Sequence, residues 1–226
     1  NYNEWACSSM TSTTSYSNVK TIFEDNVRFV YSVIDRLDSS LTPSYFIRVL
    51  SELITTLINK DNDYWKYIGL LSLSQVMCYA EDITSVEKVF PFIFSMLNNN
   101  NAKLRFASAY CIDEMSSSFN PYFQNKYADK LLPLMLVILS QEKVVRVQCA
   151  LINAITSFIT EVDDNVNSIS AQIGNYFNTM ITLYNGECAV MTKEEILTSI
   201  SEVAEFIEGN CKLYAKDVLN CLLRYF

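Results

Sequence analysis

From Val19 onward, apolar residues return every three or four positions and short polar stretches interrupt them. The pattern predicts one helix after another. The helical stretches run over 19–38, 43–59, 63–80, 85–98, 103–118, 121–140, 144–161, 168–185, 191–208 and 211–226. They are separated at Thr42-Pro43, Lys60-Asp61-Asn62, Asn98 to Asn101, Asn120-Pro121, Asp163-Asp164-Asn165 and Gly209-Asn210, residue types that favour caps and turns over helix interiors. Residues 1–18 are rich in Ser, Thr and Asn and lack helical periodicity. They are expected to form a loop or disordered tail, unless Trp5 docks on the folded part.

The helices repeat in pairs. With Lys66, Arg105, Gln148 and Lys193 taken as a common origin, the spacings are 39, 43 and 45 residues. Six positions on stand the small residues Ser72, Cys111, Ala154 and Ser199. One further come Leu73, Ile112, Ile155 and Ile200, and three beyond those Val76, Met115, Phe158 and Val203. A small residue lets a neighbouring helix approach closely, and the aliphatic positions around it form a packing stripe. Pro91 and Pro133 fall at matching places in two of the preceding helices and are expected to kink them. Helix pairs with a period of about 40–47 residues predict an all-α superhelix, a HEAT-repeat solenoid. It should hold four to five helix pairs in residues 19–226, with second helices near 19–38, 63–80, 103–118, 144–161 and 191–208. The last repeat, 211–226, is cut short.

Composition narrows the chemistry. Half of the 226 residues are hydrophobic, while only 4 Gly and 4 Pro are present, too few for the turns of a sandwich or barrel. There is no His, which removes His-based nucleophile pairs, His general bases and His-metal sites together. No phosphate-binding or dinucleotide-binding glycine motif occurs, and the carboxylate pairs Glu194/Glu195 and Asp163/Asp164 are adjacent in sequence, so their side chains diverge. No catalytic residue, cofactor site or metal site is expected, and the protein is expected not to be an enzyme. The 7 Cys are scattered, odd in number and without a CxxC pair, which favours a reducing compartment. The longest apolar run, Leu131–Leu139, is nine residues and contains Pro133, too short to cross a membrane. No signal peptide is visible and the first residue is not Met, so the chain reads as a piece of a longer solenoid.

Charge points toward a partner. The chain carries a net charge of −8, and residues 141–226 hold 11 carboxylates against 6 bases. That sign is wrong for nucleic acid and right for a basic peptide or protein.

Four segments carry a resemblance more specific than the generic repeat: DYWKYIGLLSLSQV (63–76), KLRFASAYCIDEMSSSFNPYFQNKYADKLLPLML (103–136), VVRVQCALINAITSFITEV (144–162) and KEEILTSISEVAEF (193–206). In order and spacing, from about Val33 to Phe226, they are similar to the importin-beta (karyopherin-beta) family of nuclear transport receptors. The resemblance implies a nuclear import receptor that shuttles between cytoplasm and nucleus. It would bind basic cargo proteins and Phe-Gly nucleoporins as a monomer and release cargo on binding Ran-GTP. Ran-GTP would be gripped mainly by repeats outside this piece. The competing readings are a phosphatase-scaffold-like HEAT subunit, which would keep a more constant period, and a generic adaptor.

In such a solenoid the second helices line the concave face, and the stripe opposite their packing stripe faces the groove. The candidate partner-binding residues there are Asp113, Glu114, Asn153, Glu194, Glu195, Ser201, Glu202 and Glu205, with Ser74, Gln75 and Ser157 at equivalent positions. Phe90, Phe92 and Phe94 are expected to pack between repeats, some forming convex clefts of the kind that resemblance assigns to nucleoporin phenylalanines. The absent partner of the last helix should leave Leu219, Leu222, Leu223 and Phe226 as an apolar stripe.

Overall fold

The computed structural model describes residues 2–6, 36, 43–77, 83–162 and 167–225. The expected helix over 19–38 lies outside them apart from Arg36, which is helical, and residues 7–18 of the expected tail also lie outside. The described residues contain helices and no strand. A four-residue turn, α1 (Tyr2–Trp5), is followed by α2 (Pro43–Ile58), α3 (Asp63–Met77), α4 (Ile83–Val86), a 3-10 turn (Glu87–Val89), α5 (Phe90–Met96), α6 (Ala102–Ser118), α7 (Tyr122–Gln141), α8 (Val145–Thr160), α9 (Asn167–Asn185), α10 (Val190–Ile207), a second 3-10 turn (Glu208–Leu213) and α11 (Ala215–Tyr225).

These elements form two layers. Helices α3, α6, α8 and α10 stack in chain order, each against the next, and α7, α9 and α11 form the other layer. The α3–α6–α8–α10 contacts are closer than those of the other layer, the arrangement of an inner helix layer in a curved solenoid. The repeat stripe supplies that close packing. Cys111, Ile112, Met115, Ala154, Ile155, Phe158 and Val203 are completely buried, Ile200 and Ser199 very nearly so, and only Ser72 of the small positions remains half-exposed. Small side chains also allow buried polar bridges between neighbours. The Cys111 thiol donates to the Leu70 carbonyl at 3.1 Å. The Ser199 hydroxyl lies 2.5 Å from that of Thr156 and 2.7 Å from that of Tyr176.

A second set of polar contacts fixes the repeats along their leading ends. Arg105, at the repeat origin, pairs with Glu142 of the following loop through Nε at 2.6 Å and Nη2 at 2.9 Å. Its Nη1 also donates to the carbonyls of Asn99 and Asn100. Gln148, the next origin, donates to the Glu142 carbonyl and accepts from Thr192 at 2.9 Å. The Asn98 to Asn101 break has a structural use as well: Asn101 caps α6 by accepting from the Lys103 N–H, and its amide donates to Asp63 at the start of α3.

Two expectations need correction. Pro91 does not kink a continuous helix, because it occupies the first turn of α5, after the Glu87–Val89 3-10 turn, where its missing N–H has no partner to lose. Pro133 does lie inside α7. Within the expected tail, Tyr2–Trp5 is a helical turn packed against the inner layer, with Ala6 buried. At the other end, Leu219 and Leu223 are 56 % and 75 % exposed, and Leu213 is 81 % exposed; the side chains of Leu222 and Phe226 lie outside the described set.

Candidate functional site

Because α3, α6, α8 and α10 run parallel to one another, their first turns share one edge of the inner layer and their last turns share the other. On α8 the outward stripe is Asn153, Ser157 and Thr160, with Asn153 exposed. On α10 it comprises Thr198, Ser201, Glu202 and Glu205, all exposed. On α6 it includes Tyr110, Asp113, Glu114 and Ser117. Toward the trailing edge these stripes bring carboxylates of three successive helices together.

Asp113 lies at the centre. Its Oδ1 accepts from the Ser157 hydroxyl at 2.5 Å, a bond across the α6–α8 contact. Burial raises the Asp113 pKa above the ordinary carboxylate value, the Ser157 bond opposes that rise, and the negative charges of Glu161, Glu195 and Glu202 add to it. Burial and then Asp113 raise Glu114 in the same way. Like charges held this close cost free energy in the isolated protein. Among the described residues, Asp113, Glu114, Glu161, Glu202 and Glu205 have no ion pair.

The sequence-derived candidates therefore separate into groups. Asp113, Glu114 and Glu202 belong to this cluster, and Ser201 and Glu205 continue its surface on α10. Asn153 is exposed on α8 nearer the middle of the layer. Glu194 is half-buried near the opposite edge, in the first turns of α10. Glu195 is corrected: at 7 % exposed it is buried, and it contributes its field to Asp113 without offering a surface. Ser74 is likewise buried, its hydroxyl turned back onto the Leu71 carbonyl, and Ser157 is engaged with Asp113. Glu161, absent from the candidates, belongs to the cluster. As the residue just past the last turn of α8 it was recognisable as another carboxylate at a second-helix end.

The leading edge has different chemistry. Trp5 packs edge-on against Phe106 with ring centroids 5.7 Å apart, while Arg146 sits 5.2 Å from the Trp5 ring and 4.6 Å from that of Phe106. Lys103 lies 5.7 Å from the Trp5 ring and 5.8 Å from the Tyr67 ring. Sequence reasoning left this constellation unassigned, since its members are spread over four elements.

Between α5 and α7 of the outer layer a third feature opens, an apolar cleft lined by Phe90, Pro91, Phe94, Tyr127, Leu131 and Leu134. Phe90 is completely buried, whereas Phe94 and Tyr127 are half-exposed at its wall. Glu87 closes one side, pairing with Lys126 at 2.6 Å and accepting from the Tyr127 hydroxyl at 2.9 Å. No group of residues that could hold a metal ion occurs among the described residues, and none of their helices is long and apolar enough to cross a membrane.

The family described as "IPO5-like, TPR repeats" matches residues 73–220, well over half of the chain. The chain belongs to the importin-beta family. Its helix-pair spacing of 39 to 45 residues is that of HEAT units, longer than the 34 residues of a TPR unit. It is 19% identical over 192 residues to importin subunit beta-3 of Saccharomyces cerevisiae, covering 84% of this chain and 17% of the relative. This importin-beta chain thus spans under one fifth of that relative's length. Among solved structures, the karyopherin Kap121p bound to Nup53p is 17% identical, with a TM-score of 0.78 over 98% of this chain and 21% of that one. Kap121p bound to RanGTP gives a TM-score of 0.75 at 17% identity, with the same coverage. Those structural likenesses are likenesses of fold.

Proposed function

We propose that this chain is the part of a nuclear import receptor that holds lysine- and arginine-rich segments of cargo along the trailing edge of its inner helix layer. One observation carries the reading: the stack of α6, α8 and α10 seats Asp113 at the α6–α8 contact, bonded to Ser157, within the fields of Glu161 and Glu202. A basic segment laid across the three helices would relieve that repulsion, so part of its binding free energy is stored in the free protein. Steering by the net charge of −8 would speed the encounter and make it salt-sensitive. The mechanism is binding, with no chemical step and no cofactor. Further to this reading, the Phe90–Leu134 cleft accepts phenylalanines of Phe-Gly nucleoporins, and the receptor works as a monomer that shuttles through the nuclear pore. Ran-GTP, a partner present in one of the solved Kap121p structures, releases cargo in the full-length receptor, mainly through repeats outside this chain.

Fluorescence anisotropy with a labelled Lys/Arg-rich peptide at low and moderate salt, run beside capture on Phe-Gly repeats, tests the proposal. Salt-sensitive peptide binding together with repeat capture is the expected result. Binding of neither ligand would return the chain to the scaffold reading.

A further inference from the structure

The cationic and aromatic constellation at the leading edge is covered by a short segment of the same chain. Three successive inner helices contribute to it: Tyr67 from α3, Lys103 and Phe106 from α6, and Arg146 from α8. Trp5 lies across all three. Its indole meets Phe106 edge-on and is flanked by both cations, while Ala6 is 3 % exposed beside it. Tyr110 extends the apolar floor, stacked on Phe106 with centroids 6.0 Å apart.

Several features mark this as recognition rather than ordinary core packing. A helix of four residues cannot sustain itself, so α1 owes its conformation to the surface beneath it. Lys103 and Arg146 stand in the first turns of their helices, the positive ends, where a cation is disfavoured. An aromatic face placed over such cations is attracted to them. One tryptophan anchored among cations and aromatics is also how binding energy concentrates in protein interfaces. In the sequence Asn1-Tyr2-Asn3-Glu4-Trp5-Ala6 an acidic residue precedes the anchor, and two cations in the site favour an acidic residue in whatever occupies it.

The geometry points to a second recognition site on the inner layer, made by Tyr67, Lys103, Phe106 and Arg146, which takes a tryptophan beside an acidic residue in a short helical turn of a partner and is occupied here by residues 2–6 of the chain itself. It is opposite in charge preference to the acidic edge and stands whether or not that edge binds basic cargo. As an occupant carried on the same chain, the Trp5 turn masks the site from weak partners.

The test is a labelled peptide Asn-Tyr-Asn-Glu-Trp-Ala titrated by anisotropy against the chain and against Trp5→Ala, with the helical circular dichroism of each recorded. We expect Trp5→Ala to retain its helical signal and to bind the peptide at least tenfold more tightly than the unsubstituted chain. Adding Lys103→Gln and Arg146→Gln to Trp5→Ala should abolish that gain. The proposal is overturned if Trp5→Ala loses its helical fold, which would make the turn structural. It is equally overturned if both chains bind alike, if neither binds, or if the two glutamine substitutions leave binding unchanged.

Discussion

The two edges of the inner helix layer use charge in opposite ways. At the leading edge the cations are engaged within the fold: Arg105 joins Glu142 and two loop carbonyls, and Arg146 lies over Phe106 and Trp5. At the trailing edge Asp113, Glu114, Glu161 and Glu202 crowd together, with a serine hydroxyl alone to relieve them among the described residues. Charges at the first edge hold one repeat to the next. Charges at the second raise the energy of the free molecule, an arrangement suited to an external basic partner.

The largest effect should come from inverting the second edge. Asp113→Lys with Glu202→Lys replaces two attractive contacts by two repulsive ones, and hydrogen bonds to charged groups contribute about 1.5–3 kcal/mol each. A Lys/Arg-rich peptide should therefore bind at least 100-fold more weakly at low salt. Measured beside it, the same peptide should lose little affinity for Glu187→Lys, an exposed carboxylate in the α9–α10 loop. If the two variants weaken binding equally, the effect is net charge alone and the edge has no special place.

The first edge should respond in stability instead. Glu142 is 3 % exposed in its side chain and Arg105 17 %. Glu142→Ala leaves a largely buried guanidinium without its carboxylate, a change that costs roughly 3 kcal/mol. Thermal denaturation should show a clear fall in Tm. Peptide affinity at a temperature where the variant stays folded should be unchanged.

Much of this contrast was legible in the sequence. The repeat origin picked out Arg105 and Gln148, which form the inter-repeat contacts, and the positions after it picked out Cys111, Ile112, Ile155 and Phe158, which fill the core. Asp113, Glu114 and Glu202 followed from the same frame, because a helical stripe is fixed once its opposite is known. What did not follow was depth. Glu194 and Glu195 are neighbours in sequence, yet one is half-buried and the other buried, since their directions differ by about 100° and α10 is covered on one side only. Nor could periodicity reveal the Trp5 docking, which depends on a contact between residues about 60 to 140 positions apart.

A smaller stability effect belongs to the start of the stack. Gly69 lets α3 approach α2 so closely that an added Cβ would lie 2.8 Å from Ile58 Cγ2 and 3.2 Å from Leu57 Cβ. Gly69→Ala should destabilise the chain by about 1–3 kcal/mol, as overpacking does, with helix propensity offsetting part of it. A denaturant midpoint measures this. No change would mean that α2 shifts freely and does not belong to the rigid stack.

The mildest perturbation, protonation, can separate the two edges without any substitution. Burial opposes the charged form of Glu142, but Arg105 and the N–H groups of Val144 and Lys143 outweigh it and hold its pKa below the ordinary value. A carboxylate with a depressed folded-state pKa contributes stability above its unfolded pKa, and that contribution is lost as pH falls through the folded pKa. Asp113 and Glu114 are displaced the other way, by burial and by like charges, so they take up protons at a higher pH than Glu142. Folding alone is favoured by protonating them, whereas binding of a basic peptide is not. Lowering the pH from neutrality toward the ordinary carboxylate range should therefore weaken peptide binding severalfold while the helical signal holds and Tm rises slightly. Asp113→Asn with Glu114→Gln should lower affinity at neutral pH and flatten this dependence. Binding and Tm falling together in the unsubstituted chain would mean that the acidic edge titrates no earlier than Glu142, and that its carboxylates are ordinary surface charges.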